Sequence, residues 1–319
     1  MASEFDLIAR YFDRPAPNAV LGVGDDAALI RPAPGMELAV SADMLVAGRH
    51  FFPDADPERL GHKSLAVNLS DLAAMAATPR WALLSLALPE ADEAWLAGFS
   101  RGFFALADRY GVDLVGGDTT RGPLNISVTI LGEVPAGGAL RRDGAKAGDD
   151  IWVSGEIGAA ALGLRHLFGE LELTGSEAAA CLARLHAPEP RVTLGLALAG
   201  VAHAAIDISD GLLADLGHIL ERSQLGAEIE LARLPAAAAV AARLPDPRAM
   251  ACLLAGGDDY ELCFTAAQGQ QEAVLAAGQS AGVPLSRIGR ISAAPGLRVR
   301  RPDGEQLDMK VTGFDHFAN

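Results

Sequence analysis

Six short aspartate-bearing segments follow apolar runs along the chain, and they restrict its fold and chemistry more than any other sequence feature. They are Gly24-Asp25-Asp26, Ser41-Ala42-Asp43, Asn68-Leu69-Ser70-Asp71, Gly116-Gly117-Asp118-Thr119-Thr120, Asp207-Ile208-Ser209-Asp210-Gly211 and Gly256-Gly257-Asp258-Asp259. Burying a carboxylate is costly unless a cation compensates its charge. The pattern therefore predicts loops at strand ends that gather around divalent metal.

The donor atoms that these segments offer are oxygens. Asp, Ser, Thr and backbone carbonyls suit Mg²⁺, which in enzymes commonly accompanies phosphate groups. The cysteines, Cys181, Cys252 and Cys263, are widely spaced and form no C-x-x-C pair, which favours reduced core thiols over disulfides or zinc. We therefore expect a nucleotide-dependent phosphoryl-transfer enzyme.

The chain carries a formal net charge of −15, and no polybasic run offsets it. This charge opposes binding to nucleic acid or to an anionic membrane surface. No apolar run reaches the ~18 residues of a transmembrane helix. The acidic opening residues 1–6 lack the basic and apolar regions of a signal peptide. We therefore expect a cytoplasmic protein with small-molecule partners and no nucleic-acid or membrane partner.

Strand-like and helix-like segments alternate in both halves of the 319-residue chain, which predicts an α/β or α+β fold in two domains. Residues 135–150 are rich in glycine and charge, so the domain boundary is expected in or just beyond them. The predicted domains are residues 1–148 and 149–319.

A few predicted elements place the motifs. The clearest helix covers residues 92–110 and stops at Gly111. A strand over residues 37–42 is expected to deliver Asp43 at its carboxyl end. Two further strands are expected to leave Gly116-Gly117-Asp118 between them as a loop.

The segment from Gly116 to Gly122 is the most specific single motif. It combines glycines that let the backbone approach a phosphate closely with a carboxylate, two hydroxyls and a cation. A plain turn between strands would need the glycines alone. The combination therefore favours a phosphate and metal site.

Other segments have simpler alternatives. Residues 22–27 superficially match the dinucleotide fingerprint. However, two carboxylates in a pyrophosphate cradle would repel the ligand unless a metal ion intervened. The alternative is a glycine turn that carries a solvated pair of aspartates. Asp71 shares a helical face with Lys63, so ligation competes there with an exposed ion pair. Ser209 or Asp210 is in the position to cap the next helix instead of binding a ligand.

The common nucleotide-binding motifs are missing from the sequence. It contains no G-x-x-x-x-G-K-[ST] and no protein-kinase H-R-D or D-F-G set. His50 is one of seven histidines, and Phe314 lies in a polar tail. Alone, neither residue indicates a function.

Taken together, these segments resemble the thiamine-monophosphate kinases, within the superfamily that includes aminoimidazole ribonucleotide synthetase and selenophosphate synthetase. The similarity covers nearly the whole chain. Besides the six segments, it rests on Gly48-Arg49-His50-Phe51 and on the tail Gly313-Phe314-Asp315-His316-Phe317. These last two segments point to the thiamine enzyme specifically.

The resemblance implies a two-domain α/β fold like that of aminoimidazole ribonucleotide synthetase. Residues 1–148 would form the N-terminal metal- and ATP-binding domain, whose sheet makes a homodimer. Residues 149–319 would form a C-terminal α/β domain that completes the ATP and substrate site. The implied reaction transfers the γ-phosphoryl group of ATP to thiamine monophosphate, giving thiamine diphosphate, with several Mg²⁺ ions.

The resemblance also implies ligands for each group. Those for Mg²⁺ would be Asp26, Ser41, Ala42, Asp43, Asp71, Asp118, Asp207 and Asp210. Those for ATP would be Gly117, Asp118, Arg142 and Ser209. Those for thiamine monophosphate would be His50, Asp258 and Phe314. At two positions the chain departs from the family: Ala42 replaces a common hydroxyl residue, so only its backbone can contribute, and Asp258 replaces a common, longer Glu.

The implied chemistry needs no general base. The second pKa of a phosphate monoester is about 6, so the attacking oxygen is already largely deprotonated near neutral pH. Catalysis then consists of positioning and of screening charge for an in-line attack. The alternatives are another ATP-using synthetase of the same superfamily and a non-catalytic nucleotide- or metal-binding module.

Overall fold

The computed structural model describes residues 3–307. The chain forms two compact units, the first comprising the residues up to Leu72 with Ala77–Gly137, and the second comprising Ala73–Ala76 with the residues from Gly138 onward. Across the described range, no helix combines the length and the apolar character of a membrane span.

The first unit contains a four-stranded sheet and a small two-stranded ribbon. Its elements are α1 (Glu4–Tyr11), β1 (Ala19–Leu21), β2 (Leu29–Ile30), β3 (Met36–Val46), α2 (Pro57–Ala74), β4 (Thr78–Leu88), α3 (Glu93–Tyr110), β5 (Asp113–Arg121) and β6 (Asn125–Pro135). The sheet has the order β3-β6-β4-β5, and β1 pairs with β2. β4 and β5 are parallel, whereas the other neighbours are antiparallel. The helix α3 makes the crossover that a parallel pair requires.

The predicted helix at residues 92–110 is confirmed as α3, and local signals fix both of its ends. The Asp92 carboxylate accepts hydrogen bonds from the backbone N–H groups of Ala94 and Trp95. Gly111 follows the helix with a φ of 65°, in the left-handed region that favours glycine. These caps are interactions between near neighbours, so the sequence alone indicates them.

The helices α2 and α3 meet backbone to backbone at glycines. A Cβ atom at Gly61 would lie 2.0 Å from the carbonyl oxygen of Phe99, and one at Gly102 would lie 1.8 Å from that of Glu58. No side chain fits at such distances. Residues 63–70 of α2 are all buried, so this helix carries a buried run up to the residue before Asp71.

The two faces of strand β3 have different environments. Ser41, Asp43 and Leu45 are half-buried or buried, whereas Val40 and Met44 are exposed. Successive side chains of a strand point to opposite faces. The two polar residues therefore lie on the covered face of the sheet, and an apolar strip lies on its open face.

The second unit is built on a six-stranded sheet with the order β12-β9-β11-β7-β10-β8. Its elements are β7 (Asp150–Ser154), α4 (Ala159–Leu167), α5 (Gly175–His186), α6 (Val192–Ala197), β8 (Ala204–Asp207), α7 (Leu212–Ser223), β9 (Gly226–Glu230), α8 (Ala238–Ala241), α9 (Pro247–Ala255), β10 (Leu262–Ala266), α10 (Gln271–Ala281), β11 (Leu285–Ser292) and β12 (Gly296–Arg300). β9 and β12 are parallel, and the other neighbouring strands are antiparallel. Three short 3-10 helices, Arg142–Gly144, Leu231–Arg233 and Gln268–Gln270, complete the unit. Its core is aliphatic and includes Ile151, Ile206, Leu216 and Leu253.

The prediction of loops at strand ends is wrong for two of the six aspartate segments. Ser41-Ala42-Asp43 lies inside β3, which continues to Val46 because it pairs with β6 along its whole length. The stretch from Gly116 to Arg121 belongs to β5. This strand continues to pair with β4 after a shift in register between Ala82 and Leu83. Long-range pairing, which local sequence does not reveal, extends both strands through the polar residues. Asp71 lies within α2, in agreement with the helical face that it was expected to share with Lys63.

Candidate active site

The covered face of β3 brings three of the predicted residues next to α2. The Ser41 hydroxyl donates to Asp71 Oδ2 at 2.5 Å, and the backbone N–H of Asp43 donates to Asn68 Oδ1 at 3.1 Å. Because Asn68 and Asp71 are about one helical turn apart, they face the same strand. The Ser41 hydroxyl of the strand therefore meets the Asp71 carboxylate of the helix, and Asp43 lies two residues further along the same face of β3. Ala42 alternates to the open face of the sheet.

His50 is fixed in a turn that directly follows β3. Its Nδ1 accepts a hydrogen bond from the backbone N–H of Val46 at 3.0 Å, and its own backbone N–H donates to the Val46 carbonyl. Since Nδ1 is the acceptor, a neutral His50 carries its proton on Nε2. The ring is thus set to donate a hydrogen bond from Nε2.

Gly117 and Asp118 lie on the edge strand β5. Gly117 has a φ of 151°, and a Cβ atom there would be 1.8 Å from the Leu84 carbonyl oxygen. Only glycine satisfies both constraints, so this residue is needed by the β4–β5 contact itself. Asp118 is exposed next to it, in register with Ser85.

Asp26 is exposed in the loop between β1 and β2. Its backbone N–H donates to Asp25 Oδ1 at 2.8 Å, and Gly24 adopts a φ of 118°. The loop is a glycine turn in which one aspartate bonds the backbone of the next. Within residues 3–307, no three His, Cys, Asp or Glu side chains form a group suited to holding a metal ion.

In the second unit, the segment that follows β8 is held by one carboxylate. The backbone N–H groups of Ser209, Asp210 and Gly211 donate to Asp215 Oδ2 at 3.0, 3.1 and 3.0 Å. Asp207, at the end of β8, is buried. The segment that carries Ser209 and Asp210 is therefore fixed by Asp215.

Asp215 is a residue that the sequence analysis missed. It is 2% exposed. Burial raises the pKa of its carboxyl to about 7, the charge of Asp210 adds to the increase, and the three N–H donors oppose it. The sequence does contain a signal for it, because Asp215 lies in the first turn of the helix that follows Gly211. The neighbouring Asp207 to Gly211 motif offered more obvious candidates.

The Gly257 to Tyr260 segment pairs with the same region. The backbone N–H of Asp258 donates to the Ser209 carbonyl at 2.9 Å, and that of Tyr260 donates to the Ile208 carbonyl at 2.8 Å. A Cβ atom at Gly257 would lie 2.3 Å from the Ser209 carbonyl oxygen. Two motifs that are some fifty residues apart thus lie side by side.

The two carboxylates after Asp258 have structural partners. Asp259 Oδ2 accepts from the Gly158 N–H at 2.8 Å, at the start of α4, and burial raises the pKa of Asp259 well above its ordinary value. Glu261 is buried and accepts hydrogen bonds from the Ser154 hydroxyl and the Arg191 guanidinium. Both hold the chain on the C-terminal side of Asp258.

Arg142 begins the 3-10 helix at Arg142–Gly144, and its side chain is exposed. The Ser223 hydroxyl donates to the Arg142 carbonyl at 2.9 Å. This contact ties the turn to the last residue of α7. Phe314 lies outside the described residues.

Comparisons with known proteins agree with this architecture. The family models AIR synthase related protein, N-terminal domain, and AIR synthase related protein, C-terminal domain, match residues 24–134 and 146–301. The predicted α/β fold is thereby confirmed. Among curated proteins, thiamine-monophosphate kinase of Escherichia coli (strain K12) is 48% identical over 320 residues, covering 99% of this chain and 98% of that protein.

Solved structures show the same relationship. The crystal structure of thiamine-monophosphate kinase from Stenotrophomonas maltophilia K279a is 50% identical and has a TM-score of 0.85, covering 94% of this chain and 95% of that one. AaThiL complexed with AMPPCP and TMP is 30% identical, with a TM-score of 0.79 and coverage of 98% and 96%. The chain therefore belongs to the thiamine-monophosphate kinase family and is a kinase with the two domains of the AIR synthase related proteins.

Proposed function

We propose that the protein transfers the γ-phosphoryl group of ATP to thiamine monophosphate, producing thiamine diphosphate and ADP. The observation that carries this proposal is the 48% identity to the Escherichia coli thiamine-monophosphate kinase over nearly the full length of both chains. The AaThiL complex supports it, because that relative holds AMPPCP, an analogue of ATP, together with TMP.

The proposed transfer is direct. A phosphate oxygen of thiamine monophosphate attacks the γ-phosphorus of ATP, the bond from that phosphorus to the β,γ-bridging oxygen breaks, and ADP leaves with the bond electrons. The attacking oxygen needs no base, because the second pKa of a phosphate monoester is about 6. The barrier then comes chiefly from charge repulsion and from alignment, which the protein lowers by positioning both phosphates.

We assign the ATP contacts to Gly117 and Asp118 of the first unit and to Arg142 and Ser209 of the second. The exposed Arg142 guanidinium is a planar donor suited to a phosphate. Ser209 is supported by the Asp215 anchor, which holds its backbone N–H. ATP is a cytoplasmic metabolite, so we place the reaction in the cytoplasm.

The thiamine monophosphate contacts are assigned to His50, Asp258 and Phe314. The His50 Nε2–H, set by the Nδ1 hydrogen bond from Val46, is a donor for a phosphate or ring acceptor. Asp258 carries a charge opposite to that of the thiazolium. The aromatic face of Phe314 would suit both the cationic thiazolium and the flat aminopyrimidine.

The donor chemistry of the described residues suits Mg²⁺. Asp26, Ser41, Asp43, Asp71, Asp118, Asp207 and Asp210 supply hard oxygen atoms, and Ala42 supplies its carbonyl. Mg²⁺ is usually bound by one or two carboxylates with water and substrate phosphates rather than by an all-protein cage. The close Ser41 and Asp71 pair fits this mode. Bound Mg²⁺ would offset the repulsion between the two substrates' phosphates.

We also propose that the first unit mediates a homodimer through the open face of its sheet. Val40 and Met44 of β3 are 60% and 55% exposed, and Leu83 of β4 is also exposed. In the sheet, Ala42 and Leu83 both pair with Thr129 of β6, so the exposed residues of β3 and β4 flank the same β6 residue on one face of the sheet. An exposed apolar patch of this kind marks an association surface, and a twofold axis would cover it with its own copy.

Coupled measurement of ADP release tests the proposed function. The protein is incubated with ATP and Mg²⁺ in three parallel reactions, and the products are separated by chromatography. One reaction contains thiamine monophosphate, one contains free thiamine, and one contains the precursor that an aminoimidazole ribonucleotide synthetase would use. ADP and thiamine diphosphate should form with thiamine monophosphate alone. ADP release with the precursor would favour the superfamily synthetase, and binding without turnover would favour a non-catalytic module. Robust phosphorylation of free thiamine would contradict the base-free mechanism.

A further inference from the structure

The segment between α9 and β10 contains two non-glycine residues in the left-handed region. Asp258 has a φ of 67° and Tyr260 a φ of 51°. A bulky residue such as tyrosine rarely adopts this conformation. Such strain persists where the surrounding contacts impose it, and it concentrates at ligand sites. The contacts around this pair therefore indicate what the conformation accomplishes.

The pairing with the segment that follows β8 imposes the backbone conformation. The N–H groups of Asp258 and Tyr260 donate to the carbonyls of Ser209 and Ile208, so the segment cannot relax without losing both hydrogen bonds. In this conformation the Tyr260 hydroxyl donates to Asp258 Oδ1 at 3.0 Å. Tyr260 is 8% exposed, whereas Asp258 is half-buried. A buried phenol thus holds a carboxylate that still reaches the surface.

We propose that Tyr260 is a positioning residue for thiamine monophosphate, which it helps to bind by orienting the carboxylate of Asp258. This inference rests on the proposed function. The terminal torsion of an aspartate side chain is broad, so the carboxylate plane has no strong intrinsic orientation. A hydrogen bond to Oδ1 fixes that plane, so that the carboxylate faces the substrate in one orientation.

The ATP contacts do not depend on the Tyr260 hydroxyl. The backbone of Ser209 is held on its N–H side by Asp215 and on its carbonyl side by the Asp258 N–H. Neither of these bonds involves a side chain of Tyr260. Removing the hydroxyl therefore affects the orientation of Asp258 and leaves the Ser209 segment in place.

The test compares Tyr260→Phe with Tyr11→Phe. Tyr11 also donates to a carboxylate, that of Glu93, at 3.2 Å in the first unit, so the control removes the same kind of hydrogen bond outside the candidate site. Tyr260→Phe should raise the KM for thiamine monophosphate roughly five- to tenfold, as expected for the loss of one hydrogen bond of ordinary net strength. The KM for ATP, kcat and the Tm should stay close to wild type, and Tyr11→Phe should change none of the kinetic constants.

A double-mutant cycle with Asp258→Ala separates positioning from a structural role. If Tyr260 acts through Asp258, Tyr260→Phe should change the KM for thiamine monophosphate by less than about twofold once Asp258 is alanine. Additive effects would overturn the inference, as would an increase in both KM values together with a lower Tm.

Measurements on the wild-type enzyme distinguish a wrong inference about Tyr260 from a wrong proposed function. If wild type does not convert thiamine monophosphate, the proposed function is wrong. If wild type converts it and Tyr260→Phe has an unchanged KM for it, only the inference about Tyr260 is wrong.

Discussion

The backbone N–H of Asp258 donates to the carbonyl oxygen of Ser209 at 2.9 Å. This hydrogen bond joins the segment that we assign to thiamine monophosphate to the segment that we assign to ATP. The spacing of the two segments is thus set by backbone pairing next to β8 and β10, not by flexible side chains. A phosphoryl transfer depends on the alignment of donor and acceptor, so small changes at this contact should affect catalysis strongly.

Gly257→Ala should lower kcat/KM for both substrates by at least about tenfold. The reason is that the added methyl group would displace the Asp258 segment relative to the Ser209 segment, and phosphoryl transfer is sensitive to the alignment of its two substrates. A Cβ atom at residue 257 would lie 2.3 Å from the Ser209 carbonyl oxygen, so one segment must move. Gly269→Ala is the matched control, since a Cβ atom there meets nothing within 4 Å. Steady-state kinetics of both variants decide the matter. Equal activity of Gly257→Ala and wild type would show that the spacing is not critical.

Asp118→Asn should nearly abolish activity and leave the fold intact. The side chain is exposed on the edge strand β5, so its amide costs little stability. Loss of a ligand for a charge-stabilising ion is expected to cost ~3 kcal/mol or more, about a hundredfold in rate.

The control for Asp118→Asn is Asp54→Asn, at an exposed aspartate without an assigned ligand. Kinetics over a range of Mg²⁺ concentrations, with a melting curve for each variant, provide the measurement. An Asp118→Asn enzyme within about threefold of wild type, a barrier change below ~1 kcal/mol, would refute the assignment.

The stability of the second unit should depend on pH through Glu177. Hydrogen bonds from Arg243, and then from Thr174 at the start of α5, lower the pKa of this carboxyl from 4.5 to about 2. Because the folded-state pKa is depressed, the stabilisation is complete above about pH 4.5 and is lost as the pH falls toward 2.

The measurement is the Tm of wild type and of Glu177→Gln between pH 7 and pH 3. Glutamine cannot ionise, so the Tm difference should be largest near neutral pH and should narrow as the pH falls. Glu172→Gln, at an exposed glutamate two residues before Thr174, should follow wild type throughout. A Tm difference that is constant with pH would show that the Glu177 charge contributes nothing.

Local signals explain which parts of the fold the sequence predicts. The ends of α3 depend on Asp92 and Gly111, which act on adjacent turns. By contrast, nothing in the local sequence indicates the strands β9 and β11. Their residues include Gly226, Gly289 and several arginines and glutamates, and they become strands because distant segments pair with them. Composition within such a segment does not reveal a partner elsewhere in the chain.

The candidate site shows the same limit. The sequence indicates Ser41, Asp71, Ser209 and Asp258 one by one, because each stands in a polar motif after an apolar run. It does not show that Ser41 bonds Asp71 or that Asp258 bonds Ser209. These pairs arise from strand and helix packing across 30 to 49 residues of sequence. Asp215 was missed for the same reason, since its role is visible only once its three N–H donors are placed.

The open face of the first unit's sheet leads to a prediction about assembly. Val40 is 60% exposed in the middle of the apolar strip on β3. If a second copy covers this strip, Val40→Glu would place a charge in the interface, where burial of an unpaired carboxylate is costly. The variant should therefore be monomeric at concentrations where wild type is dimeric, as measured by light scattering coupled to size-exclusion chromatography.

The matched control is Leu275→Glu on α10, at an apolar residue of the second unit that is 45% exposed. Both variants add one negative charge to a surface that is already acidic, so a general effect of charge would appear in both. Only Val40→Glu lies on the open face of the first unit's sheet. A monomeric wild type would refute the homodimer, and a Val40→Glu protein that remains dimeric would place the homodimer contact elsewhere. A monomeric Val40→Glu beside a dimeric Leu275→Glu would locate it on this sheet face, because the two variants differ only in where the charge lies.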